Sequence, residues 1–67
     1  MVTVFLNGER RELGERTSVA RLIEELGLRP EIVAVEVNQE LVSRARRASR
    51  ELQDGDRIEL VTLVGGG

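Results

Sequence analysis

The chain has 67 residues, a formal net charge of −2, and neither His nor Cys. One small domain is all that this length supports. Without a thiol or an imidazole there is no disulfide framework, no thiolate nucleophile, no Cys-ligated metal and no ordinary neutral-pH general base.

Val2, Val4 and Leu6 alternate with Thr3 and Phe5, which predicts a strand. Asn7-Gly8 follows, a hairpin signal, because both central positions of a type I′ turn need positive φ. A return strand is expected over Glu9 to Leu13, its charge suited to a sheet edge. Gly14-Glu15-Arg16 reads as a loop, and Thr17 or Ser18 caps a helix. The apolar stripe of that helix is Val19, Leu22, Ile23 and Leu26, at i, i+3, i+4 and i+7. Gly27 supplies a C-terminal cap, and Pro30 stops any continuation.

Ile32 to Val37 predicts a further strand, apolar on both faces and therefore central. Asn38-Gln39 turns the chain, and Leu41-Val42-Ser43 forms a short strand. Ala45 to Glu51 is an Arg-rich connection with little regular structure, after which Leu52 returns to the core. Asp54-Gly55-Asp56 is a tight turn. Arg57 to Leu63 is the last strand, with Ile58 and Leu60 toward the helix and Arg57, Glu59, Val61 and Leu63 on the other face.

This order, β-β-α-β-(β)-β, defines an α+β class. One main helix packs on one face of a mixed sheet of four to five strands, the β-grasp or ubiquitin-like arrangement. The right-handed crossover rule places the strand after the helix parallel to the first strand. Residues 1–64 form this domain, and residues 65–67 form a flexible C-terminal tail.

Catalysis by this chain would rest on Asp, Glu, Arg, Ser and Thr alone, on a scaffold too small to enclose a substrate. Composition therefore argues against an enzyme. No stretch approaches the ~20 apolar residues of a membrane span, and no signal-peptide pattern opens the chain, so a cytoplasmic location is expected. Net negative charge argues against nonspecific nucleic-acid binding. All ten basic residues are Arg. A chain without Lys cannot accept isopeptide bonds at its own side chains, so lysine-linked chains of itself are excluded.

The tail Gly65-Gly66-Gly67 contributes nothing to a core. Taken alone, it is compatible with a frayed end. Only with the residues that precede it does it read as a thin strip that threads into a narrow active site and offers the Gly67 carboxylate. Asp54-Gly55-Asp56 has too few oxygen ligands for a calcium loop and reads as structural, so no metal site is expected. Arg44, Arg46, Arg47 and Arg50 form either a solvated face or a surface for an acidic partner. No aromatic residue interleaves to stack bases.

Several features together give the chain a family resemblance. They are its length, Asn38 after the third strand, Val42 and Arg44 just beyond, the Asp54-Gly55-Asp56 turn, Ile58-Glu59-Leu60-Val61, and Val64-Gly65-Gly66-Gly67 at the end. In these the chain resembles the ThiS family of thiamin-biosynthesis sulfur carriers. Ser43 departs from the Pro that many relatives carry there. Related families serve molybdopterin synthesis or tRNA thiolation, or act as ubiquitin-like protein modifiers conjugated through the terminal glycine.

The resemblance implies that Gly67 is adenylated and then converted to a thiocarboxylate, with Gly65 and Gly66 threaded into the partner. It implies three partners: an E1-like adenylyltransferase of the ThiF type, a thiazole synthase of the ThiG type, and a cysteine desulfurase as indirect sulfur source. ATP and Mg²⁺ would belong to the activating partner, and no cofactor to this chain. Phe5, Val61 and Leu63 on the open sheet face are candidate docking residues, and so is Arg44 in the basic run.

Overall fold

A computed structural model describes residues 1–63. Five strands and one helix are present in the order β1 (Val2–Leu6), β2 (Glu9–Leu13), α1 (Val19–Glu25), β3 (Val33–Val37), β4 (Glu40–Leu41) and β5 (Arg57–Thr62). The five-stranded sheet runs β2-β1-β5-β3-β4. β5 is parallel to β1 and antiparallel to β3. The β-grasp class holds, with one correction to the topology. The strand after the helix is neither central nor parallel to the first. β5 enters between β1 and β3, takes the parallel place beside β1, and leaves β3 running opposite to β1.

Local chemistry explains each boundary. Ser18 caps α1, its hydroxyl accepting the Arg21 N–H at 3.1 Å. Thr17 instead turns inward and donates to the Gly14 carbonyl at 2.6 Å. Gly27, at φ +72°, ends the helix. Its N–H donates to the Glu24 carbonyl at 2.9 Å and the Leu28 N–H to the Ile23 carbonyl at 3.2 Å, the paired bonds of a Schellman cap.

Pro30 opens a 3-10 turn over Pro30–Ile32. This takes Ile32 out of the strand, so β3 begins one residue later than its apolar run suggests. Asn38 and Gln39 both have positive φ, 54° and 70°. A two-residue turn of this hand brings the chain straight back, so β4 begins at Glu40 rather than Leu41. Val42 follows it into the core, 8% exposed, with its N–H on the Val35 carbonyl at 2.9 Å.

The core lies between α1 and one sheet face. Val2, Val4, Leu13, Val33, Val35, Val37 and Ile58 of the sheet meet Val19, Leu22 and Ile23 of the helix, with Val42 and Leu52 closing the sides. It is wholly aliphatic, because the one aromatic residue, Phe5, points to the other face.

Leu22 is 1% exposed in the middle of the only α-helix among the described residues. Replacing it with Ala should cost about 2–5 kcal/mol, from lost transfer energy plus a cavity. A denaturant titration measures this, and a loss under about 1 kcal/mol would contradict the packing described.

Candidate functional site

The chain reaches its tail through β5, so the site begins with what holds that strand. Only the first half of β5 has backbone neighbours on both sides. Phe5 and Leu6 pair with Arg57 and Ile58, and the Asn7 N–H donates to the Ile58 carbonyl at 2.8 Å. There β1 ends, because Asn7, at φ +48°, enters the hairpin turn. Its side chain continues the ladder in place of a backbone. The amide oxygen accepts the Leu60 N–H at 2.9 Å, and the amide nitrogen donates to the Leu60 carbonyl at 3.3 Å.

On the other flank, Asn38 holds the start of β5. Its N–H donates to the Arg57 carbonyl at 2.7 Å, and its Oδ1 accepts the Arg57 N–H at 3.0 Å. From there β3 follows β5 through the Val33–Thr62 pair, and the Leu63 N–H donates to the Ile32 carbonyl at 2.5 Å. The strand is anchored up to Leu63.

The Asp54-Gly55-Asp56 turn aims β5. Asp54 Oδ1 accepts the Thr3 N–H at 2.7 Å, and the Gly55 N–H, at φ +87°, donates to the Thr3 carbonyl at 2.8 Å. Asp56 is 8% exposed. Its oxygens accept from the Gln53 N–H at 2.8 Å and the Asn38 amide at 3.0 Å, and the Arg50 guanidinium lies 3.5 Å away. Both carboxylates are taken up in placing strands.

The open sheet face carries three of the expected docking residues, but not as one patch. Phe5 is half-buried, with the Arg57 guanidinium 5.4 Å from its ring centroid. Val61 and Leu63 are 57% and 53% exposed. They lie about 13 Å or more further along the strand. Glu59 and Glu36, directly opposite each other, interrupt the face between them.

Arg44 is elsewhere. It lines a shallow depression with Ala20, Ile23 and Glu24 of α1, Pro30 and Arg47, on the helix side of the sheet. The reason is that the connection after Val42 is laced to the start of α1. The Val19 and Ala20 N–H groups donate to the Arg50 and Arg47 carbonyls at 2.9 and 3.1 Å, and the Leu52 N–H to Thr17 at 2.9 Å.

Within that connection, Arg47 is buried, not a surface cation. Its guanidinium donates to the Pro30 carbonyl at 2.9 Å and the Val33 carbonyl at 2.5 Å. Burial, and then the nearby Arg44, press its pKa below the ordinary guanidinium value. Among the described residues its Nε has no partner. Sequence reasoning placed Arg47 in a surface cluster and missed the bracing roles of Asn7 and Asn38. The signal for the asparagines was present in part, since each sits where a turn needs positive φ, but the strand that each side chain meets, β5, is set by the tertiary fold.

The expected site residues Gly65, Gly66 and Gly67, and the expected mobility beyond Val64, lie outside the described residues. Comparison with known proteins covers them. The model of the ThiS family matches residues 4–67. The chain belongs to the ThiS family. It is 41% identical over 64 residues to the sulfur carrier protein ThiS of Thermus thermophilus, covering 96% of this chain and 98% of that one. It is also 40% identical over 64 residues to a thiazole synthase of Paramagnetospirillum magneticum, where it spans 20% of the longer protein's length. The crystal structure of the thiamine biosynthesis protein ThiS from Geobacter metallireducens superposes with a TM-score of 0.84 at 29% identity, covering 98% of this chain and all of that one.

Substituting Asn7 by Ala leaves both backbone groups of Leu60 without their side-chain partner. A destabilisation of about 1–2 kcal/mol is expected, with faster amide exchange at Leu60. Exchange at Leu60 equal to that of the parent would show that Asn7 is not the strand's support.

Proposed function

We propose that this chain is a sulfur carrier of thiamin biosynthesis that works through Gly67. The supporting observation is the way the fold delivers its end. β5 is fixed up to Leu63, and four residues follow, three of them Gly. They span at most about 14 Å, enough to enter a narrow active site while the globule stays outside. The family match runs through this tail.

A free carboxylate is a poor electrophile. An E1-like partner of the ThiF type would join the Gly67 carboxylate to AMP from ATP and release pyrophosphate, with Mg²⁺ and the phosphate contacts on the partner. A persulfide charged by a cysteine desulfurase would then displace AMP to give an acyl disulfide, and a partner thiol would cleave that bond, leaving the thiocarboxylate on Gly67 and a disulfide on the partner. A thiazole synthase of the ThiG type would take the sulfur. The similarity of the chain to one segment of the thiazole synthases supports that last partner. This chain would supply recognition and reach and no catalytic group. Phe5 with Arg57, and Val61 with Leu63, are the surfaces offered for docking.

The test is intact mass after incubation with the E1-like enzyme, ATP and a sulfur donor. The parent should gain the mass of one oxygen replaced by sulfur. Deleting Gly67, or extending the chain past it, should abolish the gain with no change in thermal midpoint, since the tail carries little folding energy. A Gly67-deleted chain that still acquires sulfur would overturn the proposal.

Docking has its own test. Phe5→Ala and Val61→Asp should keep the fold and slow sulfur acquisition, because both positions face away from the core. Normal turnover of both variants would exclude the open face as the docking surface.

A further inference from the structure

The hydrogen-bond register of β5 leaves part of its backbone edge open. The Leu63 N–H donates to Ile32 and the Asn38 N–H to Arg57, so Arg57, Glu59, Val61 and Leu63 turn their backbone groups toward β3. Ile58, Leu60 and Thr62 turn theirs the other way, toward β1. Asn7 serves the first two, through its N–H on Ile58 and its side-chain amide on Leu60. β1 does not extend to Thr62. Among the described residues no strand or side chain meets the Thr62 N–H and C=O, and Thr62 is exposed. The sheet therefore ends, on that side, one step before the tail.

We propose that Thr62 begins a strand-addition edge. An extended segment of the activating enzyme would pair with β5 there and continue along the tail toward Gly67. This deepens the carrier reading and rests on it. The occupant follows from reach. Gly67 lies five residues past Thr62, at most about 17 Å of extended chain, so an enzyme that holds Gly67 comes within that distance of this edge. Main-chain pairing suits such a tail, because glycines offer N–H and C=O groups and no side chains to read.

The register also provides a selective probe. Proline at position 62 removes an N–H that the chain's own sheet does not use, and proline is tolerated at an edge facing outward. Affinity of the E1-like enzyme should be measured for the parent, Thr62→Val and Thr62→Pro. Val loses the hydroxyl and keeps the N–H. Thr62→Val should bind within about twofold of the parent, and Thr62→Pro about tenfold or more weakly, both with the parent's thermal midpoint.

Equal binding by Thr62→Pro would overturn the proposal. Equal losses in both variants would overturn it too, since that result means a side-chain contact. Should Thr62→Pro fail to fold, amide exchange of the parent decides. The Thr62 amide should be slowed when the enzyme is added, and an unchanged rate is a refutation. Slowing that requires only a second copy of this chain, and not the enzyme, also refutes it. The two readings separate cleanly. A parent chain that acquires sulfur with Thr62 unprotected removes the edge and leaves the carrier. A parent protected at Thr62 that never acquires sulfur keeps the edge and removes the carrier.

Discussion

Insertion of β5 between β1 and β3 is the constraint on which the rest of this structure depends. Each hairpin is local, with a two-residue turn of positive φ at Asn7-Gly8 and at Asn38-Gln39. Neither closes a core by itself. β5 joins them, and in doing so pairs residues more than fifty positions apart, such as Phe5 and Arg57. Such pairing comes at a loop-closure cost, which burial must offset. The offset is visible in Ile58, 1% exposed, which enters the core from the central strand.

Polar groups aim β5, and apolar groups hold it. Asp54, Asp56, Asn7 and Asn38 all bond to the strand, to its lead-in turn or to the neighbouring strands, and none of them lies in the apolar core. Arg47 does a comparable task on the helix side, fixing the carbonyls of Pro30 and Val33 where the chain leaves its 3-10 turn for β3. A buried Arg whose bonds go to carbonyls is costly to desolvate. It stays because the alternative leaves those carbonyls unpaired, and unpaired buried carbonyls are also costly. The basic run 44–50 thus divides into buried Arg47, half-buried Arg50 beside Asp56, and exposed Arg44 and Arg46.

Periodicity and turn chemistry made most of the elements legible. The helix stripe, both Asn turns, the Asp-Gly-Asp turn and the face of Ile58 and Leu60 follow from spacing alone, and they suffice for the fold class. Strand order does not follow. Periodicity says which residues share a face, but not which strand lies beside which. The apolar run at Ile32–Val37 suited a central strand as well as an inner one, and only the insertion of β5 decided between them. The same limit applies to the site. Phe5 and Val61 were rightly assigned to one face, but their separation by Glu36 and Glu59 depends on register, which appears only when β3 and β5 are paired. The position of Arg44 was not legible, because the connection that carries it has no periodic signal. Its route is set by hydrogen bonds to the start of α1.

The arrangement separates stability from chemistry. Among the described residues, the buried apolar side chains lie between α1 and one sheet face or close its sides. The groups through which this chain would act are the other sheet face, the edge at Thr62 and the residues beyond Leu63. A partner can therefore bind, pair with or modify those groups without disturbing the core. Under the proposed carrier role, the short distance from Leu63 to Gly67 would give the separation its functional consequence. A long linker would let any enzyme reach the terminal glycine. If the chain acts through Gly67 as proposed, four residues would require the enzyme to fit the globule first, and the folded domain would act as the address that selects it.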